Sequence, residues 1–307
     1  MKQAEILMAT YNGAAFLTEQ LDSILAQDTD SWHLTVSDDG STDDTPQILE
    51  DYVRRFPEKI TRVFSGCRFG NARDHFFWLM GQCKAEYMHF ADQDDVWHPD
   101  KMRTMQEALE QAEAQYGAQT PLLVFTDQAV VDEGLQPIAP SLMRMQQQDP
   151  SNQDYRGLLF RNVVTGCTMA VNGALARLAE VCRDPAKTVM HDWWLGLIAA
   201  RFGKLLYLDQ ATIDYRQHGG NSVGAQRVFG WKYVCSKIQD QAHLKESIRL
   251  KKAQALCFAD TFAESLDPGE TAQLQHFGAE HSTLPFKLSY LEYISGVAWK
   301  LMFVVLW

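Results

Sequence analysis

Short apolar runs alternate with longer amphipathic ones through the first half of the chain. Residues 6–11 form an apolar run that ends in the turn signal Asn12-Gly13, and residues 15–25 then carry apolar side chains at helical spacing. The order repeats with a strand over 33–36, a polar loop over 37–45 and a helix over 46–56. Pro46 sits in the first turn of that helix, and Thr45 is expected as its cap. A strand over 60–64, a glycine-bearing loop through Gly70 and a helix over 72–83 follow, and residues 87–90 read as a buried strand. Strands that alternate with helices pair in parallel through right-handed crossovers, so the first hundred residues predict an α/β, doubly wound sheet.

Beyond it the pattern predicts a helix over 101–116, a strand over 122–127, a polar turn-rich loop over 146–154, and ordered structure again over 155–160 and 163–172. A helix over 173–181, another opening within 189–195, a strand over 205–208 and a glycine-rich loop over 215–224 complete this part. From residue 227 the pattern is mainly helical and shows no internal repeat. The division expected is therefore a domain over 1–226 and a helical C-terminal extension over 227–307.

Ligands of open α/β sheets bind outside the carboxyl ends of the strands. Tyr11-Asn12, Asp38-Asp39 and Asp92-Gln93-Asp94 each follow a predicted strand, which puts them on one rim. The acidic stretch places Asp92, Asp94 and Asp95 within four residues. Carboxylates so close repel one another unless a cation or a set of donors compensates, and a hard divalent ion such as Mg²⁺ or Mn²⁺ suits them. The competing reading is an acidic loop in which Asp95 or Asp100 caps the next helix. Asp38 and Asp39 can accept from a base or ribose, or can simply build a turn. Tyr11 can stack on a base or pack. Arg73, the one cation early in its helix, can meet a phosphate or lie in solvent. Asp192, followed by Trp193 and Trp194, has the desolvated setting of a general base, with the tryptophans as stacking surfaces for sugars; alternatively it caps a helix and the tryptophans are core. His218, beside two glycines, can be a further metal ligand or an exposed loop histidine.

The formal charge of −11 argues against a nucleic-acid partner, which requires a basic surface. The six cysteines are scattered, without a Cys-x-x-Cys pair, as in a reduced cytoplasmic protein. Residues 1–7 lack the apolar stretch of a signal peptide. Residues 297–307 are strongly apolar but too short to span a bilayer. That segment is expected to serve packing or homodimerisation, with peripheral association at the inner face of the plasma membrane as the second option.

Taken together, Ala9-Thr10-Tyr11-Asn12-Gly13, Ser37-Asp38-Asp39-Gly40-Ser41-Thr42-Asp43, Asp92-Gln93-Asp94-Asp95-Val96-Trp97, Gly166-Cys167-Thr168-Met169, His191-Asp192-Trp193-Trp194 and Arg216-Gln217-His218 resemble the family 2 glycosyltransferases of the GT-A fold. Within that family they are most similar to the bacterial rhamnosyltransferase-like group. The resemblance covers residues 1 to about 225 and implies a Rossmann-like mixed sheet. It implies a nucleotide-sugar donor held by Thr10, Tyr11, Asp38, Asp39 and Arg73, with Asp92 at the ribose. It also implies a divalent metal (Mg or Mn) on Asp94 through the family's Asp-x-Asp motif, with His218 assisting, and Asp192 as catalytic base, with Trp193 and Trp194 beside the acceptor. The activity implied is inverting, metal-dependent hexosyl transfer. Its best expression is transfer of L-rhamnose from dTDP-β-L-rhamnose to a cell-surface polysaccharide, such as an O-antigen, or to a lipid-linked glycan precursor. The processive members' Gln-x-x-Arg-Trp signature is absent. Two rival classes remain: a sugar-phosphate nucleotidyltransferase, which usually carries a glycine-rich basic loop that residues 10–16 lack, and a non-catalytic glycan-binding module, which has no need of Asp192.

Overall fold

The computed structural model describes residues 2–150, 154–219, 241–279, 283–291 and 300. Its first half is the expected alternation: β1 (Ala4–Thr10), α1 (Leu17–Leu25), β2 (Trp32–Asp38), α2 (Thr45–Arg55), β3 (Ile60–Arg62), α3 (Ala72–Met80) and β4 (Tyr87–Ala91). The four strands pair in parallel in the order β3-β2-β1-β4. All five residues of β4 are buried, His89 among its apolar neighbours included, as expected of a strand covered on both faces.

The second half turns the sheet from parallel to mixed. It comprises β5 (Val96–Trp97), α4 (Lys101–Tyr116), β6 (Leu122–Val131), β7 (Pro137–Ala139), α5 (Leu142–Met145), α6 (Tyr155–Phe160), β8 (Met169–Asn172), α7 (Gly173–Ala179), α8 (His191–Phe202) and β9 (Lys204–Arg216). The full order is β3-β2-β1-β4-β8-β6-β9-β5, with β7 paired to β6 beside this path. β8 runs antiparallel to both β4 and β6, whereas β6 and β9 are parallel.

Three local expectations change. Tyr215 and Arg216, expected in a loop, end β9, which extends well past residue 208. The register shifts between Thr126 and Ala129 and the polar pair Asp209-Gln210 hide its alternation. Thr45 is the first residue of α2 rather than its cap, and its hydroxyl accepts the Gly13 amide at 2.8 Å. Asp100 stands at the N-cap position of α4, yet its side chain makes no capping bond. Residues 220–224 of the glycine-rich loop, the boundary expected at 226 and, Lys300 apart, the apolar segment 297–307 lie outside the described residues. Among the described residues, no helix is long and apolar enough to cross a membrane.

The extension contributes α9 (Gln241–Thr261), α10 (Pro268–Gly278) and α11 (Leu284–Ser289). These do not form a separate core. Phe258 and Phe262 of α9 pack on Trp194, with ring centres 5.4 and 6.1 Å away, and on Phe202 at 5.9 and 4.9 Å. Trp194 is 0% exposed, so the acceptor contact expected of it is replaced by a core role. One residue along α8 rotates a side chain by about 100°, which separates Trp194 from the face that carries Trp193. Replacing a fully buried aromatic leaves a cavity as well as losing transfer energy. Trp194→Ala is expected to cost about 3–5 kcal/mol in urea unfolding, and an unchanged midpoint would contradict the core assignment.

Candidate active site

The register Thr10 to Asp38 and Met8 to Ala91 brings the carboxyl ends of β2, β1 and β4 level, and a cavity of about 700 Å³ opens over them. At one end lie Tyr11, Asp39, Arg68 and Gly70; Asp92, Gln93 and Asp94 are also on its wall, as are Gly166, Asp192 and Trp193.

The first end is built by side chains that tie loops together. Asp38 accepts from the Thr10 and Ser41 hydroxyls at 3.0 and 2.5 Å and from the amides of Gly40 and Ser41 at 3.1 and 2.9 Å. It is thereby occupied in shaping its own loop and does not line the cavity. Thr10 is buried but reaches the wall. Asp39 faces the cavity and accepts the amides of Phe69 and Gly70 at 2.6 and 2.7 Å, which fixes the loop carrying Arg68. The Arg68 guanidinium lies 4.7 Å from the centre of the exposed Tyr11 ring. Arg73 does not line the cavity: it pairs with Asp74 at 2.7 Å and donates to the carbonyls of Ala186 and Thr188, both at 3.1 Å. The cation on this wall is Arg68 instead. Gln93 holds Tyr11 from both sides, accepting its amide at 2.9 Å and donating to its carbonyl at 3.0 Å. A Cβ on Gly13 would stand 2.3 Å from the Gln93 Oε1, so the clamp requires glycine there.

The acidic loop is held from beneath by Arg216. This buried guanidinium donates to the carbonyls of Asp94 at 2.9 Å and Glu133 at 2.7 Å and pairs with Glu19, while its amide donates to Asp95 at 3.3 Å. Asp94 reaches His218, whose Nε2 lies 2.7 Å from its carboxylate. Asp92, Asp95 and Cys167 form a second cluster with donor atoms within 4.8 Å of one another. Asp95 is completely buried and one of its oxygens has no hydrogen-bond partner. Burial, then the neighbouring carboxylates Asp94 and Asp192, push Asp92 up to about 7. Burial and Asp92 raise Asp95 as well, and burial raises the Cys167 thiol. The buried Lys101 ammonium donates to the Cys167 carbonyl at 3.0 Å and to the Thr212 hydroxyl at 3.4 Å, and burial lowers it to about 8.

These donors discriminate between two possible cation positions. A neutral buried thiol is a poor ligand for Mg²⁺ or Mn²⁺, so Asp92, Asp95 and Cys167 read as the base of the loop. Asp94 lies on the cavity wall with an imidazole at hydrogen-bond distance, and this oxygen and nitrogen pair suits a divalent ion.

Asp192 lies in the first turn of α8, where the helix dipole favours its anion. Its oxygens accept the amides of Gly166 at 3.1 Å and Trp193 at 2.5 Å. Burial outweighs these bonds and pushes it up to about 7. His191 stacks on Phe76 at 4.2 Å with neither ring nitrogen hydrogen-bonded, and burial pulls it down to about 3, so it is neutral packing at ordinary pH. Gly166 lies directly in front of it, and a Cβ there would come 3.0 Å from the His191 Nε2. Trp193 faces the cavity and anchors its indole N–H on the Leu158 carbonyl. Arg68 and Gln93 are site residues that sequence reasoning did not single out. Gln93 sits inside the acidic motif, and Arg68 is the only cation of the loop ahead of Gly70.

A family model described as glycosyl transferase family 2 matches residues 5–162, just over half of the chain. The dTDP-rhamnosyl transferase RfbG of Shigella flexneri is 29% identical over 258 residues, covering 81% of this chain and 84% of that protein. An uncharacterized glycosyltransferase of Nostoc is 25% identical over 71% of this chain and 65% of its own length. Among solved structures, S. aureus TarS 1-349 superposes with a TM-score of 0.57 at 13% identity, covering 95% of this chain and 81% of that one. The Pyrobaculum calidifontis mannosyltransferase PcManGT, solved with GDP-Man and Mn²⁺, gives 0.52 at 16% identity over 99% and 87%. The curled mixed sheet with its helical C-terminal region is thus the GT-A arrangement.

The electrostatics of the rim have a direct readout in carboxyl ¹³C NMR. Two resonances are expected to titrate near pH 7, those of Asp92 and Asp192. In Asp192→Asn one disappears and the Asp92 midpoint moves down, because a negative neighbour that raised it is gone. Both groups titrating in the ordinary carboxylate range would contradict the burial assigned to them.

Proposed function

The chain belongs to glycosyl transferase family 2, and on that footing we propose that it moves a sugar from a nucleotide-sugar donor to an acceptor hydroxyl with inversion at the anomeric carbon. The observation that carries this reading is the placement of Asp192, a buried carboxylate of raised pKa, on the same cavity wall as Asp39, Tyr11 and Asp94. The best donor is dTDP-β-L-rhamnose, supported by the similarity to the Shigella dTDP-rhamnosyl transferase. The acceptor is a cell-surface polysaccharide or a lipid-linked glycan precursor, met by the domain over 1–226 at the cytoplasmic face of the membrane.

In this mechanism the base of the donor lies against Tyr11 and Arg68, and the loop fixed by Asp39 closes over it. Asp92 is placed to accept from the ribose. Asp94, with His218, would hold a divalent metal; the manganese in the related mannosyltransferase supports that choice. When bound, such an ion stabilises the charge that develops on the departing diphosphate. Arg216 keeps the Asp94 backbone in place, so the ligand does not have to be ordered when the donor arrives. Trp193 forms the acceptor-side wall next to the base. Asp192 takes the proton of the acceptor hydroxyl as its oxygen attacks the anomeric carbon from the side opposite the diphosphate. A base near 7 is half ionised at neutral pH and still has a strong pull on the proton.

The test is Asp192→Asn. The amide cannot take a proton, so kcat is expected to fall by about 10²- to 10⁴-fold while donor affinity holds. In the unsubstituted protein only the ionised carboxylate acts, so kcat rises with pH through about 7 and then levels off. A fall in donor affinity in place of kcat, or a rate independent of pH between 5 and 9, would contradict this assignment.

A further inference from the structure

The cavity is also lined, beside Trp193, by two further segments: residues 160–162 at the end of α6, and Ser247 and Lys251 of α9. The Lys251 ammonium lies 4.9 Å from the centre of the Phe160 ring and 5.7 Å from that of Trp193. Among the described residues, no hydrogen bond or ion pair engages it. Arg161 is on the same wall. Burial first, and then Arg161, lowers Lys251 to about 8, and among the described residues no carboxylate counters them. An anion seated against the Lys251 ammonium satisfies its donors and offsets the unfavourable effect of the neighbouring guanidinium.

The anion does not belong to the donor's diphosphate, which the proposed function places at Asp94 and His218. Lys251 instead lies over the ring of Trp193, the residue after the base. A molecule whose hydroxyl reaches Asp192 lies against Trp193, and its next charged group meets Lys251. We propose that this part of the cavity is an anion subsite for the acceptor, in which Lys251, with Arg161, binds a phosphate or carboxylate carried by the acceptor close to the hydroxyl that is glycosylated. The inference rests on the glycosyltransferase reading and deepens it. It also gives α9 a role beyond packing, since the helix that covers Trp194 with Phe258 completes the site with Lys251.

The test uses the full chain with Mn²⁺ and saturating dTDP or UDP, whichever binds, in calorimetric titrations with octyl phosphate, octyl β-D-glucuronide and, as the neutral control, octyl β-D-glucoside. One of the two anions is expected to bind at least about tenfold more tightly than the glucoside. Lys251→Met, which keeps an unbranched side chain one atom shorter and removes the charge, abolishes that preference, and Lys251→Arg retains it; nucleotide affinity is the same in all three proteins. Preference for the phosphate identifies a lipid-linked phosphate as the source of the anion, and preference for the glucuronide identifies an acidic sugar. Equal binding of the three probes, no binding of either anion, or an unchanged preference in Lys251→Met overturns the proposal. So does a loss of nucleotide affinity in Lys251→Met, because the cation then serves the donor. Absence of nucleotide binding in the unsubstituted protein overturns the glycosyltransferase reading itself, which separates the two failures.

Discussion

Carboxylate crowding at the end of β4 is the constraint on which the rest of the structure depends. Asp92, Asp94 and Asp95 are close together, and Asp192 approaches from another element. Four ionised groups in so small a volume would repel strongly. The fold moderates this in three ways. Burial pushes Asp92 and Asp192 up to about 7 and raises Asp95 as well, which disfavours their simultaneous ionisation. The Arg216 guanidinium and the Lys101 ammonium, both buried, supply fixed positive charge beneath the loop. Asp94 itself stands on the cavity wall with the His218 imidazole 2.7 Å away, where a cation can enter.

The change of strand direction in the sheet makes this possible. The parallel half supplies three strand ends in register, from which Tyr11, Asp39 and the acidic loop project. If the pattern had continued in parallel, β8 would have entered from the other side. Because β8 instead runs antiparallel between β4 and β6, the segment before it, 166–168, reaches the same rim, and its Gly166 amide meets Asp192 at the start of α8. Metal candidate and base candidate thus belong to different halves of the chain, joined through a shared core that also includes α9.

Much of this was legible in the sequence because it follows from local rules. The period of the apolar residues located β1 to β4 and α4 closely, and the strand-end rule put Tyr11, Asp39 and Asp94 on one rim. What was not legible depends on side-chain direction and on partners distant in sequence. Trp193 and Trp194 are adjacent and of one type, yet one lines the cavity and the other is core, a distinction set by helix phase and by Phe258 some sixty residues on. Arg73 looked available because its helix start was visible, but the carbonyls of 186 and 188 that occupy it were not. Asp38 and Asp39 read alike, although only the geometry of Gly40 and Ser41 assigns the first to its own turn. Lys251 lies in a region whose weak amphipathic pattern gave no hint that one of its cations turns inward.

The central claim is that one cavity binds a sugar nucleotide through its base at Tyr11 and through a metal at Asp94. Calorimetric titration of the full chain with dTDP-β-L-rhamnose, with Mn²⁺ and then after removal of the metal with EDTA, tests it most directly. Metal-dependent binding, lost in EDTA and stronger than that of dTTP, is the result predicted here. Binding that is indifferent to EDTA, or a preference for dTTP over the sugar nucleotide, would contradict it and favour a nucleotidyltransferase.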